Sequence, residues 1–374
     1  MKRIRILYTI PNFDTAGSGI PLLKIASSLD ENYFEPSIAC LHNRGELFQN
    51  VKNSGIKIHI LDLYKNPRPI IKMLNECHGL SKVFKKINPD IIHSYHYAAD
   101  YTEPIAAKMA GIKWIYTKKN MSWKGPSYGG WKLRSWLADG IICQNSDMLK
   151  DFFPDWRKVK LIPIGVDTEE YSLQPKNINV KKKWGIVDND RIIITVANLV
   201  PVKGVEVLIE AFELLFNSHP SWKLMIVGDA TTEYGIKLIN KYLKNRDLKD
   251  KIIFTGKQKN VRELLDLSEI YVQSTLNKGR MEGAPIAIQE AMTNGKVVIG
   301  SNIPGIRDQL EEFPSQLFKA GDYNELYKKL VFHMSNSTED NIEFGRKFVN
   351  IVKNKYDISI EKEKIEAYYR KLLD

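Results

Sequence analysis

The densest run of residues able to do chemistry is IYVQSTLNKGRMEGAPIAIQEAMTNGKVVIG, residues 270–300. An apolar strand, Ile270–Gln273, leads into a polar loop holding Lys278 and Arg280, and Pro285 suits the first turn of the helix that follows. The amides of Gly283 and Ala284 then stand at that helix's N-terminus, where unpaired N–H groups favour an anion. Glu282 lies in the loop and Glu290 on the helix, with seven residues between them. Carboxylates accept hydrogen bonds from vicinal hydroxyls, so two of them at different depths can grip two polyol rings. Exposed helix glutamates are common. This pair gains weight from its place after a strand end, with AMTNGKVVIG returning to another buried strand.

Two more stretches can meet an anion. VANLVPVKGVEVLIEAFELL is a buried strand, a loop with Pro201, Lys203 and Gly204, and an apolar-striped helix. Lys203 is placed there as a point charge for a phosphate, although a solvated loop lysine fits the same pattern. In TAGSGIPLLKIASSL, Gly17 and Gly19 precede a helix, and glycines let backbone approach a ligand closely. A purely steric turn explains them equally well. The stretch is not GxGxxG, so a nicotinamide dinucleotide site is unsupported.

Positioning these residues requires strands that end just before them. Short β-branched runs alternate with helical patterns throughout. Predicted strands in the first half are Ile4–Tyr8, Ser37–Leu41, Lys57–Leu61, Ile91–Ser94, Trp114–Thr117, Gly140–Cys143 and Lys160–Ile164. In the second half they are Ile192–Ala197, Leu224–Val227, Ile252–Thr255, Ile270–Gln273, Val297–Gly300 and Gln316–Lys319. Several are continuous apolar runs, as in parallel strands buried on both faces. The repeat of strand and helix predicts an α/β protein with two doubly wound, Rossmann-like domains facing across a cleft, whose ligands bind beyond the carboxyl ends of the strands. Residues 1–166 form the first domain, the polar stretch 167–190 with Pro175 and Gly185 a linker, and 191–350 the second domain. Residues 351–374 form an amphipathic helix that crosses back to the first.

At 374 residues the chain holds two domains or slightly more, at roughly 150 residues each. With 43% hydrophobic and 26% charged residues, and only 23 Gly and 16 Pro, fibrous and disordered readings fail. Cys40, Cys77 and Cys143 are too scattered for a disulfide framework or a zinc site, so a reducing cytoplasmic setting is expected. No apolar run approaches the ~18 residues of a membrane span. The opening MKRIRILYTIPNF resembles a signal peptide in charge, but Pro11 and Asn12 cut its apolar run, which reads as a first strand.

Residues 1–166 carry 24 of the 55 Lys and Arg but only 14 of the 44 Asp and Glu, so nearly all the net charge of +11 sits in the first half. There KKNMSWKGPSYGGWKLRSW sets Trp123, Tyr128, Trp131 and Trp136 among basic residues. An exposed patch of this kind suits the anionic inner face of the cytoplasmic membrane or a lipid-linked acceptor. Alternatively, the tryptophans are core residues of an ordinary helix.

The second half resembles the donor-binding domain of retaining nucleotide-sugar glycosyltransferases of the GT-B fold, specifically glycosyltransferase family 4. The matching stretches are IPIGVD, ANLVPVKGVEVLIEAF, LMIVGD, IIFTGKQKNVRELLDLSEIYVQST and EGAPIAIQEAMTNGKVVIGSNIPGIRDQL, in order across most of residues 161–310. The first half resembles the family through GSGIPLLKIASSL, DIIHSYHYAADYTEPIAAKMAGI and DGIICQNS. The resemblance implies that Lys203 neutralises the donor diphosphate and Glu290 binds the ribose hydroxyls. It implies that Glu282, Gly283 and Ala284 hold the transferred sugar. Gly228, Gly256 and Lys257 would flank the base, and Gly17 and Gly19 would approach the phosphate. The family often has an Arg where this chain has Asn198, and Arg280 or Lys278 is then the compensating charge. Many members carry a His where this chain reads TKKN, with Lys119 at the aligned place. His96, at the preceding strand end, is the candidate to replace it.

The resemblance further implies a metal-independent, retaining hexosyltransferase in which the leaving phosphate itself takes the acceptor's proton. No His, Asp or Glu cluster has metal-ligand spacing. No cofactor is expected beyond the UDP- or GDP-linked donor, which is a substrate. The expected acceptor is a glycan or lipid-linked acceptor of cell-surface polysaccharide, lipopolysaccharide included. A nucleotide-sugar epimerase shares the architecture but needs no acceptor. A nucleic-acid-binding protein would explain the basicity but not the paired glutamates of a nearly neutral second half, so no nucleic-acid partner is expected.

Overall fold

The computed structural model describes residues 2–14, 16–122, 128–154, 156–244, 248–279, 281 and 283–374. It divides into two compact units, Met1–Ile164 with Ile358–Asp374, and Gly165–Asp357. The first unit runs β1 (Ile4–Thr9), α1 (Ala16–Ser28), β2 (Phe34–Cys40), α2 (Glu46–Asn53), β3 (Lys57–Ile60), α3 (Ile70–Ile87) and β4 (Ile91–Ser94). It continues with α4 (Thr102–Ala110), β5 (Lys113–Lys118), α5 (Tyr128–Leu137), β6 (Gly140–Cys143), α6 (Ser146–Phe152) and β7 (Val159–Leu161). The second unit runs α7 (Ile178–Lys183), β8 (Arg191–Val196), α8 (Val205–Glu213), β9 (Trp222–Val227), α9 (Glu233–Leu243), β10 (Ile252–Gly256) and α10 (Val261–Leu267). It ends with β11 (Ile270–Gln273), α11 (Ile286–Thr293), β12 (Val297–Ser301), α12 (Ile306–Gln309), β13 (Leu317–Phe318), α13 (Tyr323–Met334) and α14 (Thr338–Lys355). A last helix, α15 (Ile358–Leu373), returns to the first unit.

Each predicted strand is present, with ends shifted by a few residues. The first sheet has the order β3-β2-β1-β4-β5-β6-β7 and the second β10-β9-β8-β11-β12-β13. Every pairing between neighbouring strands is parallel. Helices cover both faces, so the central strands are dry: every residue of β4, β6, β11 and β12 is buried. In both sheets the order reverses about the first strand, between β1 and β4 in one and between β8 and β11 in the other. These are the switch points, and in open α/β sheets ligands bind outside the carboxyl ends of the strands there. Both pairs are clamped at their amino ends by an arginine and a carboxylate. Arg5 of β1 reaches Asp90 at 2.9 Å, and Arg191 of β8 reaches Glu269 at 2.6 Å.

Two boundaries differ from expectation. The stretch 167–190, expected as a linker, belongs to the second unit. It forms α7, buries Ile186, and packs Val180 and Trp184 on the core beneath β8 and β11. Its apolar anchors are spaced irregularly, so periodicity misses them. Residues 351–355 complete α14, where Val352 is buried in the second unit, and the chain crosses at Asp357. In α15, Ile365 and Tyr369 enter the first unit's core, and the Tyr369 hydroxyl meets His93 Nδ1 at 2.6 Å and Tyr8 at 2.9 Å.

Candidate active site

In the second unit the loops leaving β8, β9, β10 and β11 are bonded side by side. The Leu199 amide donates to Asp229 at 2.8 Å and the Gly228 amide to Gly256 at 3.1 Å, which joins the first three. A Cβ on Gly228 would stand 1.8 Å from the Ala197 carbonyl oxygen, so only glycine permits this approach. The β8 and β11 loops, at the switch point, are joined by Leu276 N–H to Val202 O at 2.8 Å and by Ser274 Oγ to Lys203 O at 3.2 Å. Asn198, Lys203, Gly228, Gly256 and Lys257 therefore lie along one row of adjacent loops. Lys203 is half-buried at the end of the turn Pro201–Lys203, and Asn198, Gly256 and Lys257 are exposed.

Across the switch point, α11 begins at Ile286, with Pro285 at the capping position rather than in the first turn. Gly283 is buried, and its carbonyl oxygen lies against Gly305, whose Cβ would come within 2.1 Å of it. Gly305 has φ +80, so its lack of a side chain sets the depth at which the 283–285 segment lies. Ala284 and Glu290 are half-buried. Glu290 accepts a hydrogen bond from the Tyr171 hydroxyl, a partner no local spacing reveals. Glu282 and Arg280 lie outside the described residues. Lys278 is exposed.

In the first unit, β1 and β4 end at a buried polar cluster. The Glu103 carboxylate, fully buried, accepts from Thr9 Oγ1 at 2.5 Å and Ser94 Oγ at 2.8 Å. Burial raises its pKa against the pull of Arg134. Arg134, also fully buried, donates to Asp100 O at 2.7 Å and to His96 O at 3.3 Å. These contacts hold the turn that presents His96. Its ring stacks on Tyr64 at 3.8 Å between centroids, and its Nδ1 is buried with no hydrogen-bond partner. Burial, then the charges of Arg134 and Lys119, push the imidazole down to about 2. His96 is thus a neutral hydrogen-bonding group, too weak a base to take a proton near neutrality. The Lys119 ammonium lies 4.6 Å from the Tyr95 ring centroid.

Gly17 and Gly19 fall inside α1 rather than in a turn before it. Gly19 is buried where a Cβ would stand 2.6 Å from Leu47 and 2.8 Å from Phe13, so packing accounts for it. The aromatic patch is also partly corrected. Trp131 is buried, as is Arg134, whose guanidinium stacks over Trp114 at 4.8 Å, while Tyr128 and Trp136 are exposed. Trp123 lies outside the described residues. Among the described residues no three His, Cys, Asp or Glu gather as a metal site, and no helix is long and apolar enough to cross a membrane.

Two units, each a parallel sheet wound with helices and each carrying polar loops at its switch point, define the GT-B architecture. Residues 17–170 match the family model Glycosyltransferase Family 4, and residues 176–348 match Glycosyl transferases group 1. The chain is 25% identical over 360 residues to the Escherichia coli UDP-Gal:alpha-D-GlcNAc-diphosphoundecaprenol alpha-1,3-galactosyltransferase, covering 91% of this chain and 90% of that one. A solved glycosyltransferase from Rickettsia africae ESF-5 has a TM-score of 0.87 at 20% identity, with 100% of both chains covered. Anabaena HepE in complex with UDP and glucose has a TM-score of 0.81 at 16% identity, covering 98% of this chain and 100% of that one. The chain belongs to the family 4 type of GT-B glycosyltransferases.

Proposed function

We propose that this glycosyltransferase takes a hexose from a UDP- or GDP-linked donor and joins it, with retention at the anomeric carbon, to a glycan or lipid-linked acceptor of cell-surface polysaccharide. The observation that carries this reading is the joining of the β8 and β11 loops at the switch point. It sets Lys203 on one side and the start of α11, with Glu290 a turn further on, on the other. In this reading Lys203 meets the diphosphate. The amides of Gly283 and Ala284, with Glu282, hold the sugar, Glu290 takes the ribose hydroxyls, and Asn198, Gly228, Gly256 and Lys257 line the nucleotide. Arg280 or Lys278 supplies the second phosphate charge. Acceptor recognition falls to the first unit, at the end of β4, where Arg134 holds the turn that carries the neutral His96.

As the acceptor oxygen bonds to the anomeric carbon, the bond from that carbon to the diphosphate oxygen breaks. The acceptor's proton passes to the departing diphosphate, so no side chain need act as nucleophile or base. Lys203 and the helix N-terminus stabilise the negative charge that grows on the leaving group, and this is where the rate is gained. No metal enters this scheme, so a chelator leaves the rate unchanged.

Attachment to an anionic membrane is part of the same reading. It is supported by the basic first half and by Ile70 and Ile71 at the start of α3, 65% and 78% exposed beside Arg68 and Lys72. Titration with UDP- and GDP-sugars, read as thermal stabilisation, tests donor binding. Anomeric NMR of the product then tests retention. No stabilisation by any nucleotide sugar rejects the reading, and turnover of donor without acceptor favours an epimerase.

A further inference from the structure

The stretch that follows the crossing into the second unit is fastened to the helix that carries Glu290. The Tyr171 carbonyl accepts from Asn294 Nδ2 at 3.1 Å, at the C-cap of α11. The same amide donates to Asp266 at 2.9 Å, and Asp266 also accepts from the Gln174 amide at 3.0 Å and from Arg262 at 2.9 Å. Asn294 and Asp266 are buried, so this scaffold is shielded from water. The Tyr171 ring packs against the second unit's core, and its hydroxyl donates to the Glu290 carboxylate. Burial, then the negative charges of Glu290 and Glu170, hold the phenol well above its usual value, and it stays protonated as a donor.

We propose that Tyr171 is a positioning residue for donor binding: its hydroxyl fixes the Glu290 carboxylate so that the remaining lone pairs meet both vicinal hydroxyls of the nucleotide's ribose. The proposal rests on the reading of Glu290 given above. A carboxylate has about four acceptor positions, so one bond to Tyr171 leaves room for a diol. That bond restrains the side chain, and a glutamate with fewer rotamers open to it loses less freedom each time it binds. A ring that served only to fill the core would influence stability, and would weaken nucleotides with and without a 2′-hydroxyl alike.

The test is titration of the full-length protein with UDP and 2′-deoxy-UDP, and with GDP and its 2′-deoxy form. It compares wild type, Tyr171→Phe, Glu290→Gln and the double variant, with melting temperatures alongside. Wild type is expected to prefer the ribose form by about tenfold, the scale of one hydrogen bond to a charged group. Tyr171→Phe should cut that preference to about two- to threefold while melting near wild type, and the double variant should be no worse than Glu290→Gln alone. A folded Tyr171→Phe that keeps the full preference overturns the proposal and leaves the reading of Glu290 intact. A wild type with no preference overturns that reading, and the proposal with it. Should Tyr171→Phe fail to fold, Tyr171→Met, apolar and flexible enough to adapt to the space, serves in its place with the same outcomes.

Discussion

Replacing Gly204 by alanine should separate the two loops on which the site depends. Gly204 has φ +59, and a Cβ there would stand 2.3 Å from the Ser274 carbonyl oxygen and 3.0 Å from Leu276 Cγ. An alanine in the left-handed region costs about 1–2 kcal/mol. Relieving the clash means pulling the β8 and β11 loops apart, which breaks the bonds from Leu276 N to Val202 O and from Ser274 Oγ to Lys203 O at about 1 kcal/mol each. The total is about 3–4 kcal/mol. Gly185→Ala is the control: φ is +62, but nothing lies within 4 Å of its Cβ, so only the backbone term applies. The excess of about 2 kcal/mol corresponds to roughly 4–8 °C in the melting of the second unit. Displacing Lys203 by even an ångström should also lower kcat/KM about a hundredfold in Gly204→Ala, and not at all in Gly185→Ala. If the two variants melt and turn over alike, the loops are not coupled through Gly204 and the argument for the site's geometry fails.

Lys203→Ala should weaken transition-state stabilisation by about 2–4 kcal/mol, lowering kcat more than it raises KM, and activity within a few-fold of wild type would refute its role. Glu290→Gln should raise the donor KM with a smaller change in kcat, as expected for a group that binds ground and transition states alike. Burial holds His93 down to about 3, His96 to about 2 and His333 to about 4, against 6.5 for an ordinary histidine. Through that window the unfolded chain binds protons that the folded chain does not, so stability falls as pH drops from 6.5, by about 1.4 kcal/mol per pH unit for each histidine. Urea midpoints followed down to about pH 5 should show a flatter fall in His93→Gln than in wild type. The protein should sediment with acidic liposomes and release at moderate salt, and failure to bind even at low salt would reject membrane attachment.

The strands and their order of appearance were legible because buried parallel strands write themselves as short apolar runs, and Ile270–Gln273 and Val297–Gly300 needed nothing else. Less legible was the division between units. Residues 167–190 look like a linker because polar residues dominate them, yet Tyr171, Val180, Trp184 and Ile186 pack the stretch on the second core. Hydropathy averages over such a stretch, whereas burial depends on a few side chains. Arg134 failed for the opposite reason. A cation amid tryptophans reads as surface, but flat guanidinium stacking and three carbonyl and hydroxyl acceptors make its full burial tolerable.

The site shows where single-chain pattern reading stops. Strand ends can be read locally, so the loops holding Lys203, Gly283 and His96 were found from what precedes them. What sets the depth and orientation of those groups comes from far along the chain: Gly305 beneath Gly283, Tyr171 on Glu290, and Tyr64 against His96. None belongs to a repeat or spacing that marks it, because each meets its partner only after a separate element has docked. His96 makes the difference plain. As a histidine at a strand end it reads as the candidate to replace the family's histidine, but neutral burial beside Arg134 and Lys119 removes proton transfer near neutrality and leaves hydrogen bonding. Residue type and strand-end placement suggested where chemistry lies, and tertiary surroundings decided which chemistry remained open to it.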